Sequence, residues 1–233
     1  MELKPIFPVT IGEAHFDQAV QFKETFFNSV LTHINSEGFS SEVTGHVTIH
    51  HDETYKPMYE FVIQQLKEYV TGLGINANDF DYNVVKSWLN ITKERDNPVH
   101  NHADAHVSFS YYVNIPEDCQ RDIVFINKEF HTNNLNNGMM PFNVFEWNYY
   151  NAGTWSFTPS EGSLFIFPAT LKHHVSKTNG SITMHNSWEE PTKTLDEVKQ
   201  MRICIAGDIL MTFKELQPIP LGLQPIENWR LFE

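Results

Sequence analysis

The sequence has few cysteines and few basic residues, and each shortage excludes a class of protein. Its two cysteines, Cys119 and Cys204, are too few for a disulfide framework or a cysteine-ligated zinc site. The 16 basic residues are outnumbered by 29 acidic ones, and the formal net charge of −13 disfavours a nucleic-acid partner. We therefore look for chemistry in other side chains, and histidine, with 12 copies, is unusually frequent.

Long apolar runs are also missing. No stretch approaches the ~18 consecutive apolar residues of a membrane span, and the opening MELKPIFPVTIGEAHF has neither the basic nor the apolar region of a secretory signal. We expect no membrane partner and a cytoplasmic location. With 41% hydrophobic residues the chain is too apolar for disorder, so we predict one folded domain over residues 1–233.

Two segments near the start carry apolar residues at helical spacing. The first ends before Gly38 and contains Phe16, Ala19, Val20, Phe26, Phe27, Val30, Leu31 and Ile34. The second begins near Pro57 and ends around Gly72 and Gly74. The sequence therefore predicts two amphipathic helices within a helical flank, residues 1–80.

From about Asp81 onward the pattern changes to short segments rich in β-branched and aromatic residues. We count seven predicted strands: NVVKSWLNIT, HVSFSYYVNIP, DIVFIN, TWSFTP, GSLFIF, SITMHNSW and RICIAGDILMTF. Since no helical segments alternate with them, we predict a mainly β, antiparallel jelly-roll barrel over residues 81–233. A polar stretch at about 176–201 is longer than an ordinary connection and is interpreted as a loop insertion.

The most informative segment is PVHNHADAHVSFSYYVNIP, residues 98–116. Side chains alternate between the two faces of a strand, which predicts an apolar face with Val107, Phe109, Tyr111, Val113 and Ile115. If the alternation extends backward, the other face carries His100, His102, Asp104 and His106. Several potential metal ligands then project the same way.

His102 and Asp104 form an H-x-D pair, with side chains about 6 to 7 Å apart along one side of a strand. Two histidines and one carboxylate on one face of an octahedron form the metal site of non-haem Fe(II) oxygenases. The third ligand must come from elsewhere, and the candidates are His173 and His174 in SLFIFPATLKHHV. His100 raises a competing pair with His102, but a carboxylate offsets metal charge that two imidazoles leave uncompensated.

Three blocks of the sequence resemble the 2-oxoglutarate/Fe(II)-dependent oxygenases that occur widely in marine bacteria and their phages and are related to prolyl hydroxylases. SWLNITKERDNPVHNHADAHVSFSYYVNIP is similar to the family's tryptophan, asparagine, H-x-H and tyrosine-pair block. GSLFIFPATLKHHV is similar to its distal-histidine block, and RICIAGDI to its arginine strand. The blocks occur in the family's order, and the resemblance implies a double-stranded β-helix, the cupin-like jelly roll.

The resemblance also implies roles for single residues. His173 matches the distal histidine, so that His102, Asp104 and His173 are the expected catalytic metal ligands. Arg202 matches the arginine that holds the far carboxylate of 2-oxoglutarate, a task that suits a planar and permanently charged guanidinium. Cys204 stands where related enzymes often have a hydroxyl, and the second carboxylate contact is expected from Tyr112 or Asn90. Apart from the resemblance, Trp88 could line the substrate mouth, but as an aromatic residue at a strand position it is expected in the core.

The implied activity is a dioxygenase that uses Fe(II), 2-oxoglutarate and O2 to hydroxylate a peptidyl residue, amino acid or small metabolite, releasing succinate and CO2. A first alternative is a metal-binding, cupin-like protein that recognises a ligand without catalysis. A second is a zinc hydrolase with the same three ligands and a bound water. Arg202 discriminates between oxygenase and hydrolase, because hydrolysis needs no arginine deep in the barrel.

Overall fold

The computed structural model describes residues 8–36, 48–92, 96–127, 146–148, 151–177, 194–216 and 222–231. Within these ranges the protein consists of two antiparallel sheets and three α-helices. The helices are α1 (Ala19–Ile34), α2 (Lys56–Gly72) and the short α3 (Leu195–Lys199). Among the described residues, no helix combines the length and apolar character needed to cross a membrane.

The described strands form one sheet of five strands and one of four. Their bounds are β1 (Gly12–His15), β2 (Phe80–Thr92), β3 (Asn97–His100), β4 (Val107–Asn114), β5 (Arg121–Ile126), β6 (Thr154–Phe157), β7 (Ser163–Pro168), β8 (His173–Lys177) and β9 (Arg202–Phe213). The larger sheet has the order β1-β7-β4-β9-β2 and the smaller one β3-β8-β5-β6. From β2 to β9, successive strands therefore alternate between the sheets except for the hairpin β5–β6, as in a jelly roll.

The two helices of the flank cover the outer face of the larger sheet. Val107, Phe109, Tyr111 and Val113 of β4 share one buried apolar cluster with residues of α1 and α2. The Tyr111 ring lies 6.1 Å from the Phe16 ring, edge to face. The predicted apolar residues of β4 thus lie on the face that packs on the helices. Ile115, which follows the strand, belongs instead to a second apolar cluster, because the pairing with β9 is irregular between Tyr112 and Asn114.

A second apolar cluster lies between the two sheets. It joins Phe165 and Phe167 of β7 to Ile123 and Phe125 of β5, with Phe125 and Phe167 rings 5.0 Å apart. The opposite face of β4 points into this interior, where Tyr112 is fully buried. The sheets therefore enclose a space that is apolar at its centre and polar toward the ends of its strands.

The predicted fold class, a mainly β jelly roll flanked by N-terminal helices, is confirmed. The structure adds strands that the sequence patterns do not predict, namely β1, β3 and β8. The predicted strand SITMHNSW lies outside the described residues, as does most of the insertion expected at about 176–201; its described end contains α3.

Candidate metal centre

Three histidines from separate segments meet at one end of the space between the sheets. His100 at the end of β3 pairs directly with His173 at the start of β8. His102 lies two residues further along the chain and is fixed by a hydrogen bond from its backbone N–H to the carbonyl of Ala169, at 2.8 Å. One potential ligand atom of each imidazole lies within 4.8 Å of those of the other two.

Each of these rings makes a hydrogen bond through Nδ1 to an oxygen. The partners are the carbonyl of Pro98 for His100, at 2.7 Å, and the carbonyl of Leu171 for His173, at 2.9 Å. Nδ1 of His102 bonds the Asp208 carboxylate at 2.8 Å. A carbonyl or carboxylate oxygen only accepts, so Nδ1 carries the proton and Nε2 carries the lone pair in all three rings.

The free lone pairs fit a metal ion. Nε2 of His102 is buried and has no hydrogen-bond partner among the described residues, a costly arrangement unless something else binds it. Burial lowers the pKa of His173 to about 4, and burial also lowers the pKa of His100, so both rings are neutral at neutral pH. Neutral imidazoles with a bonded Nδ1–H are the usual state of histidine ligands in proteins.

Asp104, the expected third ligand, is not part of this cluster. Its side chain is 71% exposed, and both carboxylate oxygens accept hydrogen bonds from Lys86 Nζ, at 2.9 and 3.0 Å. These hydrogen bonds lower the pKa of Asp104 below its ordinary value. The structure therefore brings together His102 and His173 as expected, and places His100 where the sequence analysis put Asp104.

The difference has a local cause. The strand phase was extended backward from β4, but β3 ends at His100 and residues 101–106 form a connection that includes a turn at 103–104. Alternation between faces holds only within a strand, so it does not fix the direction of Asp104. His174, the alternative to His173, lies next to it on β8, where successive side chains point to opposite faces.

Arg202 lies in the same cavity as the three histidines. Only 2% of this residue is exposed, and its Nε and Nη2 find no hydrogen-bond partner among the described residues. Its guanidinium carbon lies 5.0 Å from the centre of the Tyr112 ring. A buried guanidinium with unused donors is costly without an anion, and Arg202 lines the cavity beside the histidines.

The other two residues expected to bind the cofactor also line the cavity. Asn90 on β2 and Tyr112 on β4 are both direct neighbours of Cys204 on the strand between them, β9. Burial above all raises the pKa of the Tyr112 hydroxyl, and burial raises the pKa of the Cys204 thiol to about 11, so both stay protonated. This row presents hydrogen-bonding groups beside Arg202.

Sequence reasoning missed two further residues at the cluster. Trp88, expected in the core, lines the cavity and stacks on the His102 ring with centres 5.3 Å apart. Asp208 is completely buried in β9, where it bonds His102. Burial favours a raised pKa for Asp208, but hydrogen bonds from His102 and Ser108 outweigh it and lower the pKa. A charged residue inside the apolar run RICIAGDILMTF is a sequence signal for a buried partner.

A jelly roll that contains three clustered imidazoles and a buried arginine with two unused donor atoms defines a class of candidate metalloproteins. The comparison with protein families makes this class more specific. Residues 86–184 match a family described as "Putative 2OG-Fe(II) oxygenase". The match contains all three clustered histidines and confirms the resemblance found in the sequence over this range; Arg202 and Asp208 lie beyond it.

The chain was also compared in fold with solved structures. The chain is similar to the non-heme alpha ketoglutarate dependent epimerase SnoN from nogalamycin biosynthesis, with a TM-score of 0.50, 7% identity and coverage of 85% of this chain and 78% of the other. A prolyl-4-hydroxylase of Pseudomonas putida has a TM-score of 0.47, 13% identity and coverage of 91% and 89%. At such identities the likeness to SnoN shows a shared fold alone. No curated protein has a significant sequence match to the chain.

Proposed function

We propose that the protein is a 2-oxoglutarate- and Fe(II)-dependent dioxygenase that hydroxylates a small-molecule or peptidyl substrate. The observation that carries the proposal is that three imidazoles and one buried guanidinium, two of whose nitrogens have no hydrogen-bond partner among the described residues, line the same cavity. The first set suits a divalent cation and the second suits a carboxylate, and 2-oxoglutarate is a ligand that needs both. The family match over residues 86–184 supports the same assignment.

Each residue has a distinct task in this proposal. Nε2 atoms of His100, His102 and His173 hold the cation on one side and leave the other side open. Arg202 binds the distal carboxylate of the co-substrate by paired hydrogen bonds, and Tyr112 or Asn90 gives a further hydrogen bond. Trp88 shields the His102 ring from water by stacking on it.

Bound iron supplies the oxidising chemistry, in which O2 and 2-oxoglutarate are converted to succinate and CO2 while one oxygen atom enters a C–H bond of the substrate. The ligand set differs from the expected one, since His100 replaces Asp104. Three neutral imidazoles leave the charge of the cation uncompensated in the first coordination sphere, and the co-substrate carboxylates reduce it when they bind.

The test is spectroscopic and needs no substrate. Protein prepared anaerobically with Fe(II) should develop a weak visible charge-transfer band on addition of 2-oxoglutarate. His102→Ala and His173→Ala should abolish the band, whereas His106→Ala, which removes a nearby exposed histidine outside the cluster, should keep it. Absence of the band in the unmodified protein would contradict the proposal.

A zinc hydrolase is the second candidate, because three histidines with an open position also form catalytic zinc sites. A non-catalytic, cupin-like binding protein would also bind the metal, but it would not consume O2. Hydrolase activity gives Arg202 no task, so tight 2-oxoglutarate binding that depends on Arg202 would count against it. Succinate release in the presence of O2 would separate the oxygenase from the binding protein.

A further inference from the structure

Asp208 occupies an unusual place for a carboxylate. It stands in β9 between apolar neighbours, and none of its side chain is exposed. Residues 202, 204, 206 and 208 alternate onto the face of β9 that looks into the space between the sheets. Arg202 therefore marks one end of this face and Asp208 the other, beside His102.

Three side chains donate to this carboxylate. Nδ1 of His102 lies 2.8 and 3.0 Å from its two oxygens, Ser108 Oγ donates at 2.6 Å, and Lys86 Nζ lies at 3.1 Å. Lysine has no acceptor, and a carboxylate that only accepts is ionised. The ionised Asp208 carboxylate thus accepts a hydrogen bond from the imidazole of His102.

We infer that Asp208 is a positioning residue of the metal centre: it fixes the ring and tautomer of His102 and supplies, through that ring, the negative charge that three histidine ligands lack. This inference rests on the metal site of the proposed function. A carboxylate bonded to the far nitrogen makes a ligand imidazole more basic and orients it. His100 and His173 bond only neutral carbonyls, so His102 is the one ring of the cluster with an anionic partner among the described residues.

Lys86 explains why Asp208, and not Asp104, has this role. Its ammonium group lies 2.9 Å from Asp104 and 3.1 Å from Asp208 and bridges the two carboxylates. The Asp104 side chain is 71% exposed, so water screens its charge. Asp208 is shielded from water and bonded directly to His102, so solvent screens its charge on this ring much less.

The test uses Co(II) as the probe and the full chain. Asp208→Asn keeps the size of the side chain but removes its charge, and we expect Co(II) affinity, measured by competition with a chelator, to fall about 10- to 100-fold. Asp104→Asn is the matched control, since it removes a carboxylate from the same lysine; we expect a change of less than about threefold. Equal losses in the two variants, or no loss in Asp208→Asn, would overturn the inference.

A second measurement starts from the unmodified protein, so its first result does not depend on how well a variant folds. In the metal-free, unmodified protein, proton–nitrogen correlation spectra of the imidazoles should show His102 as the Nδ1–H tautomer. Asp208→Ala should shift it toward the Nε2–H form while His173, held by Leu171, keeps its tautomer. A His102 that carries its proton on Nε2 in the unmodified protein would overturn the inference.

The two experiments separate this inference from the proposed function. Co(II) binding that depends on Asp208, without any 2-oxoglutarate band in the Fe(II) form, would support the inference and refute the oxygenase. A normal band together with full Co(II) affinity in Asp208→Asn would refute the inference and leave the oxygenase supported.

Discussion

Lys86 holds Asp104 by both carboxylate oxygens, at 2.9 and 3.0 Å, and so engages the residue that the H-x-D pattern marks as a metal ligand. His100 is the third member of the cluster in its place. His100 and Asp104 lie on either side of His102 in the chain. Their substitutions are therefore expected to have different effects on metal binding: a large loss for His100 and little change for Asp104.

We expect His100→Ala to lower Co(II) or Fe(II) affinity by about 100-fold or more, because losing a ligand costs at least as much as losing a ligand's hydrogen-bond partner. Asp104→Ala should lower it by less than about fivefold, the scale of an exposed ion pair. Chelator competition measures both, with His106→Ala as control. The opposite ranking would restore Asp104 as the ligand.

Substitution of Arg202 should stabilise the protein but weaken its binding of 2-oxoglutarate. Nε and Nη2 of the buried guanidinium have no hydrogen-bond partner among the described residues, so Arg202→Met should increase the unfolding free energy of the ligand-free form by about 1 kcal/mol or more and raise its melting temperature. The same substitution should weaken 2-oxoglutarate binding about 100-fold and leave metal affinity nearly unchanged. Arg202→Lys, which keeps the charge but not the paired geometry, should lie between.

A lower melting temperature in Arg202→Met would show that the guanidinium already binds a structural anion or another hydrogen-bond acceptor. Calorimetry of the metal-free protein, with and without 2-oxoglutarate, distinguishes the two outcomes, because added co-substrate should stabilise the unmodified protein and not the variant.

Asp52 should make the stability of the helical flank sensitive to acid. Burial favours a raised pKa, but hydrogen bonds from Ser29, Thr54 and His33 outweigh it and lower the pKa from 3.8 to about 2. The folded state therefore favours the ionised carboxylate. The resulting stability is complete above pH 3.8 and is lost as the pH falls toward 2.

Urea unfolding at a series of pH values measures this effect. The difference in unfolding free energy between the unmodified protein and Asp52→Asn should be constant above about pH 5 and shrink between about pH 4 and 2. Asp17→Asn, at a fully exposed carboxylate, should follow the unmodified protein throughout. A difference that does not depend on pH would mean that the hydrogen bonds do not depend on the charge.

Gly207, next to Asp208, should not tolerate a side chain. A Cβ there would lie 2.5 and 2.7 Å from two ring atoms of Phe109 and 3.0 Å from the backbone carbonyl of Lys86. Gly207→Ala should therefore destabilise the protein by about 1 to 3 kcal/mol. Gly72→Ala, at the end of α2 with nothing within 4 Å, should be neutral or slightly stabilising.

Denaturant unfolding compares the two alanine variants. Adding Phe109→Leu to Gly207→Ala should recover part of the lost stability, because the leucine side chain is smaller than the ring that obstructs the new methyl group. No recovery would locate the strain at the Lys86 backbone instead.

The face of β4 that packs on the helices could be predicted because the alternation from Val107 to Val113 is a local property of one strand. The placement of His100 opposite His173 could not, because it depends on pairing between β3 and β8, which are distant in the chain. Their register is set by long-range packing, and the turn between β3 and β4 breaks the phase that the spacing argument assumed.

The family resemblance predicts three cofactor-binding residues, and all three line one cavity: Arg202, Tyr112 and Asn90. Asp208 was within reach of sequence reasoning, since an aspartate inside an apolar strand needs a buried donor. Which donor it meets is decided by the neighbouring strands, where Ser108 and Lys86 stand directly beside it.

The three clustered imidazoles lie on β3, on β8 and on the connection that leaves β3, whereas the guanidinium lies on β9 of the other sheet. Neither layer alone contains both halves of the site. A nascent chain in which only one sheet has formed cannot bind iron and 2-oxoglutarate together. Simultaneous binding of both ligands would therefore report that the two sheets have packed against each other.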